Sequence, residues 1–186
     1  AAFLLDRVMS TVGLSGRSEQ RLRAVRNELG VDWPLLVTDA SDRASVVELA
    51  AASAVVATTV GPHRRHGLPL VEACAEYGSS YCDLTGETLF VRASADAAHQ
   101  RAVATQARIV HSAGFDSVPS DLGVWLLHEK VRADGAGTLG ETVLVLVSAR
   151  GGVSGGTVES ARGVVEDMSD PAQRRILADP YALSPD

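Results

Sequence analysis

Short β-branched and apolar runs alternate along this chain with segments whose apolar positions recur every three to four residues, and few folds accommodate that alternation. The runs are Thr11–Ser15, Leu35–Thr38, Ala54–Thr59, Ser80–Leu84 and Arg108–Ser112. Their starts lie about 20 to 30 residues apart, the length of a strand, a helix and a return. The intervening helices have legible stripes: Leu22, Val25 and Leu29 in Ser18–Leu29, Val46, Leu49 and Ala50 in Arg43–Ala52, and Leu70, Val71, Cys74 and Ala75 in His66–Tyr77. Ser18 is placed to cap the first of these, and Gly78 to stop the third. The expectation is an α/β fold, a doubly wound parallel sheet with helices on both faces. Right-handed crossovers then bring every strand's carboxyl end to one edge, where such proteins bind ligands.

A helix at Pro119–Val131, with Leu122, Trp125, Leu126 and Glu129 at helical spacing, follows the last loop. Gly135, Gly137 and Gly140 then mark a boundary. Beyond it, Glu141–Arg150 is almost purely Val and Leu in its middle and reads as a strand. Residues 1–134 are therefore expected to form one unit and 135–186 the start of a second, α+β, substrate-facing one. The chain opens on Ala1 in an apolar segment and closes straight after a helical pattern, so it reads as a piece of something longer.

The net charge of −6, with Lys and Arg scattered apart from Arg64-Arg65, argues against general affinity for nucleic acid. Cys74 and Cys82 lie in apolar stretches and read as buried free thiols, which fits a reducing cytoplasm. No apolar run approaches the ~18 residues of a membrane span, while a peripheral membrane contact stays compatible with the sequence. The isolated His residues and two cysteines form no metal-site pattern. Gly151–Thr157 is glycine-rich but lacks the Lys of a phosphate-binding loop.

The unusual residues gather in the loops after the strands. Gly16-Arg17-Ser18 closes the first strand, where an acidic residue would suit the 2′-hydroxyl of NAD and an Arg the 2′-phosphate of NADP. A plain turn with a capping Ser is the alternative. Asp39 either meets an adenine ring or forms a turn with Ser41. Thr59-Val60-Gly61-Pro62 lets backbone come close to a cofactor, because Gly61 has no side chain and Pro62 fixes the turn. Two further clusters, Tyr81–Glu87 and His111–Asp121, end the fourth and fifth strands. Pro119 and Asp121 suit a helix's first turn.

These segments, in this order, resemble the saccharopine-dehydrogenase-like oxidoreductases, and within them the mycobacterial trans-acting enoyl reductases. The resemblance rests on Gly16-Arg17-Ser18, on Thr59–Pro62 with Gly67–Val71 and Ala73-Cys74, on Tyr81–Glu87, and on Gly114–Gly123. Val153–Thr157 and Asp179-Pro180-Tyr181 also look like that family. It implies a Rossmann-type NAD(P)-binding domain followed by a substrate domain, and with Arg17 and Ser18 at the first strand's tip the expected cofactor is NADPH. The implied activity is reduction of a carbon–carbon double bond in polyketide chains destined for complex lipids, in trans with a polyketide synthase. The substrate would be a small or carrier-bound acyl group.

By location, Gly16, Arg17, Ser18, Asp39, Thr59, Val60, Gly61 and Pro62 would hold the cofactor. Asp116, Ser117 and Glu87 are the catalytic candidates, a structural role for each being an equal alternative. Two departures stand out. His63 occupies the place of the family's usual Tyr after Gly-Pro. The family's first strand and glycine-rich turn have no counterpart, so the chain alone is expected to be inactive, with two unpaired strand edges that favour self-association. Other readings are a saccharopine-type amino-acid or imine reductase and a non-catalytic nucleotide-binding or docking module.

Overall fold

Five short parallel strands fall where the apolar runs predict them: β1 (Leu14–Gly16), β2 (Leu35–Val37), β3 (Val55–Thr58), β4 (Ser80–Asp83) and β5 (Ile109–Val110). The computed structural model describes residues 12–148, 159, 162–163 and 165–184. Its helices are α1 (Glu19–Leu29), α2 (Arg43–Ala51), α3 (His63–His66), α4 (Leu68–Tyr77), α5 (Thr88–Thr105), α6 (Val118–Ala133) and α7 (Pro171–Ala178). Residues 159, 162–163 and 165–167 are also helical. None of the described helices is long and apolar enough to cross a membrane.

Local chemistry sets the ends of these helices. The Ser18 hydroxyl accepts from the Arg21 N–H at 3.4 Å and Gly30 closes α1 at φ 64°. Asp42 caps α2 through the Ala44 N–H at 3.1 Å, and Gly78 ends α4 at φ 75°. Each side-chain cap is worth about 0.5–2 kcal/mol. The 18-residue α5 belongs to the βα rhythm but shows a weak apolar stripe, because Ala and Ser fill much of its buried side.

The sheet is α/β and parallel, consistent with a Rossmann-like arrangement, but it is divided. Among the described residues β1 pairs only with β2, and β3, β4 and β5 form a separate sheet in that order. The core lies on one face, where α2, α4 and α5 pack on β3 and β4 through Val46, Val71, Cys74, Tyr81 and Phe90. Among the described residues the opposite face stays open. Val55 and Ala57 of β3 and Val110 of β5 are exposed, and Cys82 of β4 is half-buried between them.

Two expectations are corrected. The Glu141–Arg150 run forms no strand over its described residues 141–148. Val143 through Val147 are at least 68% exposed, and a strand needs a neighbour to satisfy its backbone groups. Of the two thiols, Cys74 is fully buried but Cys82 is not. The Gly151–Thr157 segment lies outside the described residues.

Candidate functional site

Loop by loop, the carboxyl edge can be assembled from its hydrogen bonds. After β1, the Gly16 carbonyl accepts from the Thr38 N–H at 3.0 Å, which extends the β1–β2 pairing to the tip. Arg17 is exposed there, and Ser18 is spent on its cap. After β2, Asp39 Oδ1 accepts from the Ser41 N–H (2.9 Å) and hydroxyl (2.6 Å), the turn alternative foreseen for it. The two Ser41 hydrogen bonds, then the charges of Arg17 and His66, hold the Asp39 carboxyl below its ordinary value.

After β3, the Thr58 hydroxyl accepts from the Val60 N–H at 3.1 Å, leaving Thr59, Val60 and Gly61 exposed before a cis Gly61–Pro62 bond. A Cβ on Gly61 would come no closer than 3.9 Å to the rest of the chain, so internal packing does not require a glycine there. Next to it, His63 is 5% exposed and stacks on Phe90 with ring centroids 5.7 Å apart. Its Nδ1 is buried without a hydrogen-bond partner. The His63 ring edge that faces Gly61 is its Cδ2 side, 3.9 Å from a Cβ built on Gly61, and the Gly61 backbone itself is open.

The loops after β3, β4 and β5 are tied together. Glu87 is 8% exposed, and its two carboxylate oxygens accept from the backbone N–H groups of His63 (3.1 Å) and Arg64 (2.8 Å). This joins the start of α5 to the start of α3, so the Glu87 side chain acts as a buried cap in this structure. Asp83, at the end of β4, receives four hydrogen bonds. Tyr81 Oη donates to Oδ2 at 2.9 Å and His111 Nδ1 lies 2.7 Å from the same oxygen. The N–H groups of Thr85 (3.0 Å) and Ser112 (3.1 Å) donate to Oδ1. Burial pushes the Asp83 carboxyl up, but its hydrogen bonds from His111, Thr85 and Tyr81 prevail and hold it below its ordinary value. Burial and the Asp83 charge together push the Tyr81 hydroxyl well up, so it stays a donor.

His111 Nε2 in turn lies 2.8 Å from Ser94 Oγ on α5. The Ser112 hydroxyl donates to the Thr85 carbonyl at 2.7 Å, and a Cβ on Gly114 would sit 2.8 Å from Leu84 Cβ. The three loops therefore lie side by side. Asp116 is exposed at the rim, and Ser117 is half-buried at the start of α6 with no side-chain capping bond.

Tyr81, Asp83 and His111 lie inside the two clusters that the sequence marks at the ends of the fourth and fifth strands, but none of them is among the candidate site residues named there, and neither is Ser94. The available signal was Tyr81 and Asp83, two polar residues at alternate positions of one strand, both facing the core. Ser94 carried no signal. A small cleft adjoins this edge, lined by Pro62, Arg64, Glu87 and Thr88 on one side and by Gly163 and Leu177 on the other. Arg64 pairs with Asp167 at 3.0 Å, and Arg65 with Glu159 (3.2 Å) and Glu166 (3.7 Å), across the mouth of that cleft. Among the described residues no group of three or more His, Cys, Asp or Glu could hold a metal ion.

With this geometry in view, the chain is similar to proteins named trans-acting enoyl reductase. It is 53% identical over 179 residues to a Mycobacterium tuberculosis (strain H37Rv) protein provisionally so named, a match covering 94% of this chain and 43% of the relative. It is 50% identical over 180 residues to one of Mycobacterium ulcerans and 48% identical over 180 residues to one of Mycobacterium bovis, with the same coverage. The chain thus spans less than half the length of the curated relatives it matches. No family model matches it, and no solved structure does.

Proposed function

We propose that this chain belongs to an NADPH-dependent oxidoreductase that reduces the carbon–carbon double bond of an acyl chain, working in trans with a polyketide synthase in complex lipid biosynthesis. The observation that carries this reading is the 48–53% identity, over 94% of the chain, to proteins named for that activity. The convergence of three strand-end loops on one edge, at an open glycine, supports it. The free thiols fit a reducing cytoplasm as the site of action.

The bound nucleotide would supply a hydride; the chain's own residues would bind, orient and protonate. Arg17 would hold a 2′-phosphate at the tip of β1. Thr59 to Pro62 would present bare backbone to the nicotinamide. Glu87, with both oxygens engaged by the first N–H groups of α3, fixes the position of Pro62. Asp116 and Ser117 would be the candidates to pass a proton to the substrate, which would enter through the cleft bounded by Gly163 and Leu177.

The decisive experiment mixes the full-length protein with NADPH and an enoyl thioester and follows nicotinamide absorbance and product mass together. The expected result is stoichiometric loss of NADPH and a product two hydrogens heavier. NADPH binding without turnover on any enoyl thioester would instead favour a non-catalytic nucleotide-binding module.

A further inference from the structure

Beneath the three loops runs a chain of hydrogen bonds that the reaction proposed above does not use: Tyr81 to Asp83, Asp83 to His111, and His111 to Ser94. Its members come from three elements. Asp83 ends β4, His111 follows β5, and Ser94 projects from the middle of α5. The Asp83 side chain is 0% exposed and that of His111 12%. An ionised carboxylate only accepts, so the imidazole nitrogen facing it must carry a hydrogen. In the Nδ1–H tautomer Nε2 is left to accept from the Ser94 hydroxyl.

Packing alone does not call for this arrangement, because apolar side chains of the same volume often stabilise an interior as well as a buried charged pair does. What the polar chain adds is placement. Asp83 Oδ1 holds the amides of Thr85 and Ser112, one from each of two neighbouring loops. Ser112 adopts φ 57°, a strained conformation for a non-glycine residue that persists only where the surroundings enforce it. The Phe90 ring meets His111 edge-on at 5.1 Å and stacks on His63, so the same ring couples His111 to the loop carrying Gly61.

We propose that His111 is a positioning residue: as its Nδ1–H tautomer it fixes Asp83, and through Asp83 sets the loops after β4 and β5 in the mutual placement that nucleotide binding requires. This rests on the nicotinamide-nucleotide reading above for its functional half only.

Two isosteres separate placement from packing. In His111→Asn the amide nitrogen stands where Nδ1 was and still donates to Asp83. In His111→Gln it stands where Nε2 was and that donor is lost. In the full-length protein, His111→Gln should weaken NADPH binding about tenfold, the 1.4 kcal/mol of one charge-assisted hydrogen bond. It should also speed hydrogen exchange at the Thr85 and Ser112 amides, whereas His111→Asn should do neither. Equal effects of the two variants, or faster exchange with unchanged affinity, would overturn the proposal. Imidazole 15N shifts of the unmodified protein give a test that does not depend on a variant folding: Nδ1 must be protonated and Nε2 bare, and the reverse tautomer overturns it. Should the unmodified protein bind neither NADPH nor NADH, the functional reading fails, while the exchange and 15N measurements still decide whether His111 sets the loops.

Discussion

Arg17 sits exposed at a strand tip with a carboxylate, Asp39, near enough to feel its charge. If it meets a 2′-phosphate, Arg17→Ala should cost the full-length protein about tenfold in NADPH affinity and leave NADH affinity unchanged, by calorimetry. Equal losses for both nucleotides would remove Arg17 from that role. Asp116 permits a similar separation: Asp116→Asn should lower turnover with little change in NADPH affinity if it moves a proton. A lowered melting temperature with unchanged turnover per folded molecule would mark it as structural. Asp83 makes a pH-dependent contribution whose sign follows from its lowered value. That contribution is fully present above about 3.8, the ordinary aspartate value, and is lost as the pH falls through the lower folded one. Asp83→Asn should therefore narrow the stability gap to the parent as acid unfolding is approached, in denaturant titrations at a series of pH values. At this scale the sequence was informative where a residue's role is local. The Ser18 cap and the Asp39 turn each follow from neighbours within three residues. Asp83 and His111, 28 positions apart, acquire their meaning only when β4 and β5 pair, and no spacing rule announces that.

The joint between α3 and α4 shows how elements, rather than single contacts, set the edge. A Cβ on Gly67 would lie 2.5 Å from Phe90 Cζ and 2.7 Å from the His63 carbonyl oxygen. Gly67 is thus what lets α3 and α4 press onto α5. Gly67→Ala should destabilise the fold by about 1–3 kcal/mol, the usual cost of overpacking, in thermal or denaturant unfolding. Gly61→Val places its side chain in open space and should leave unfolding unchanged while weakening NADPH binding; loss of stability instead would show that Gly61 serves the fold. Four of the five strand starts were legible to within about a residue because β-branched runs bounded by turn residues have few other uses, while β1 begins at Leu14 rather than Thr11 and β5 ends at Val110 rather than Ser112. The run after Gly140 misled for the same reason in reverse. Its composition suits a strand, but a strand is a property of a pair, and 141–148 has no partner among the described residues. Helix α6 forms where its spacing predicts, yet Leu122, Trp125 and Leu126 remain about half exposed, so its stripe is legible and its partner is not.

Across the whole molecule, the 159–178 region is held to the α/β core by packing of α7 on α5 and by the Arg64 and Arg65 ion pairs. Those pairs are partly solvated, where each contributes about 0–1 kcal/mol and salt screens it. Limited proteolysis at low and high salt should find cleavage after Arg174 or Arg175 accelerated by salt, with the α2–α4–α5 core protected in both. Salt-independent cleavage would show that α7 packing, not charge, holds the region. The divided sheet adds a second consequence at this scale. The row Ala57, Cys82 and Val110 crosses three paired strands on the open face, with one sulfur at its centre. Burial, then the Asp83 charge, pushes its thiol up, so alkylation there is slow but not forbidden, whereas Cys74 is pushed up to about 12 and sealed in the core. One molecule therefore carries a clock and its own control. The rate at which Cys82 takes up a thiol reagent, read against the silence of Cys74, times how long that face stays bare as the protein matures, assembles or meets another surface.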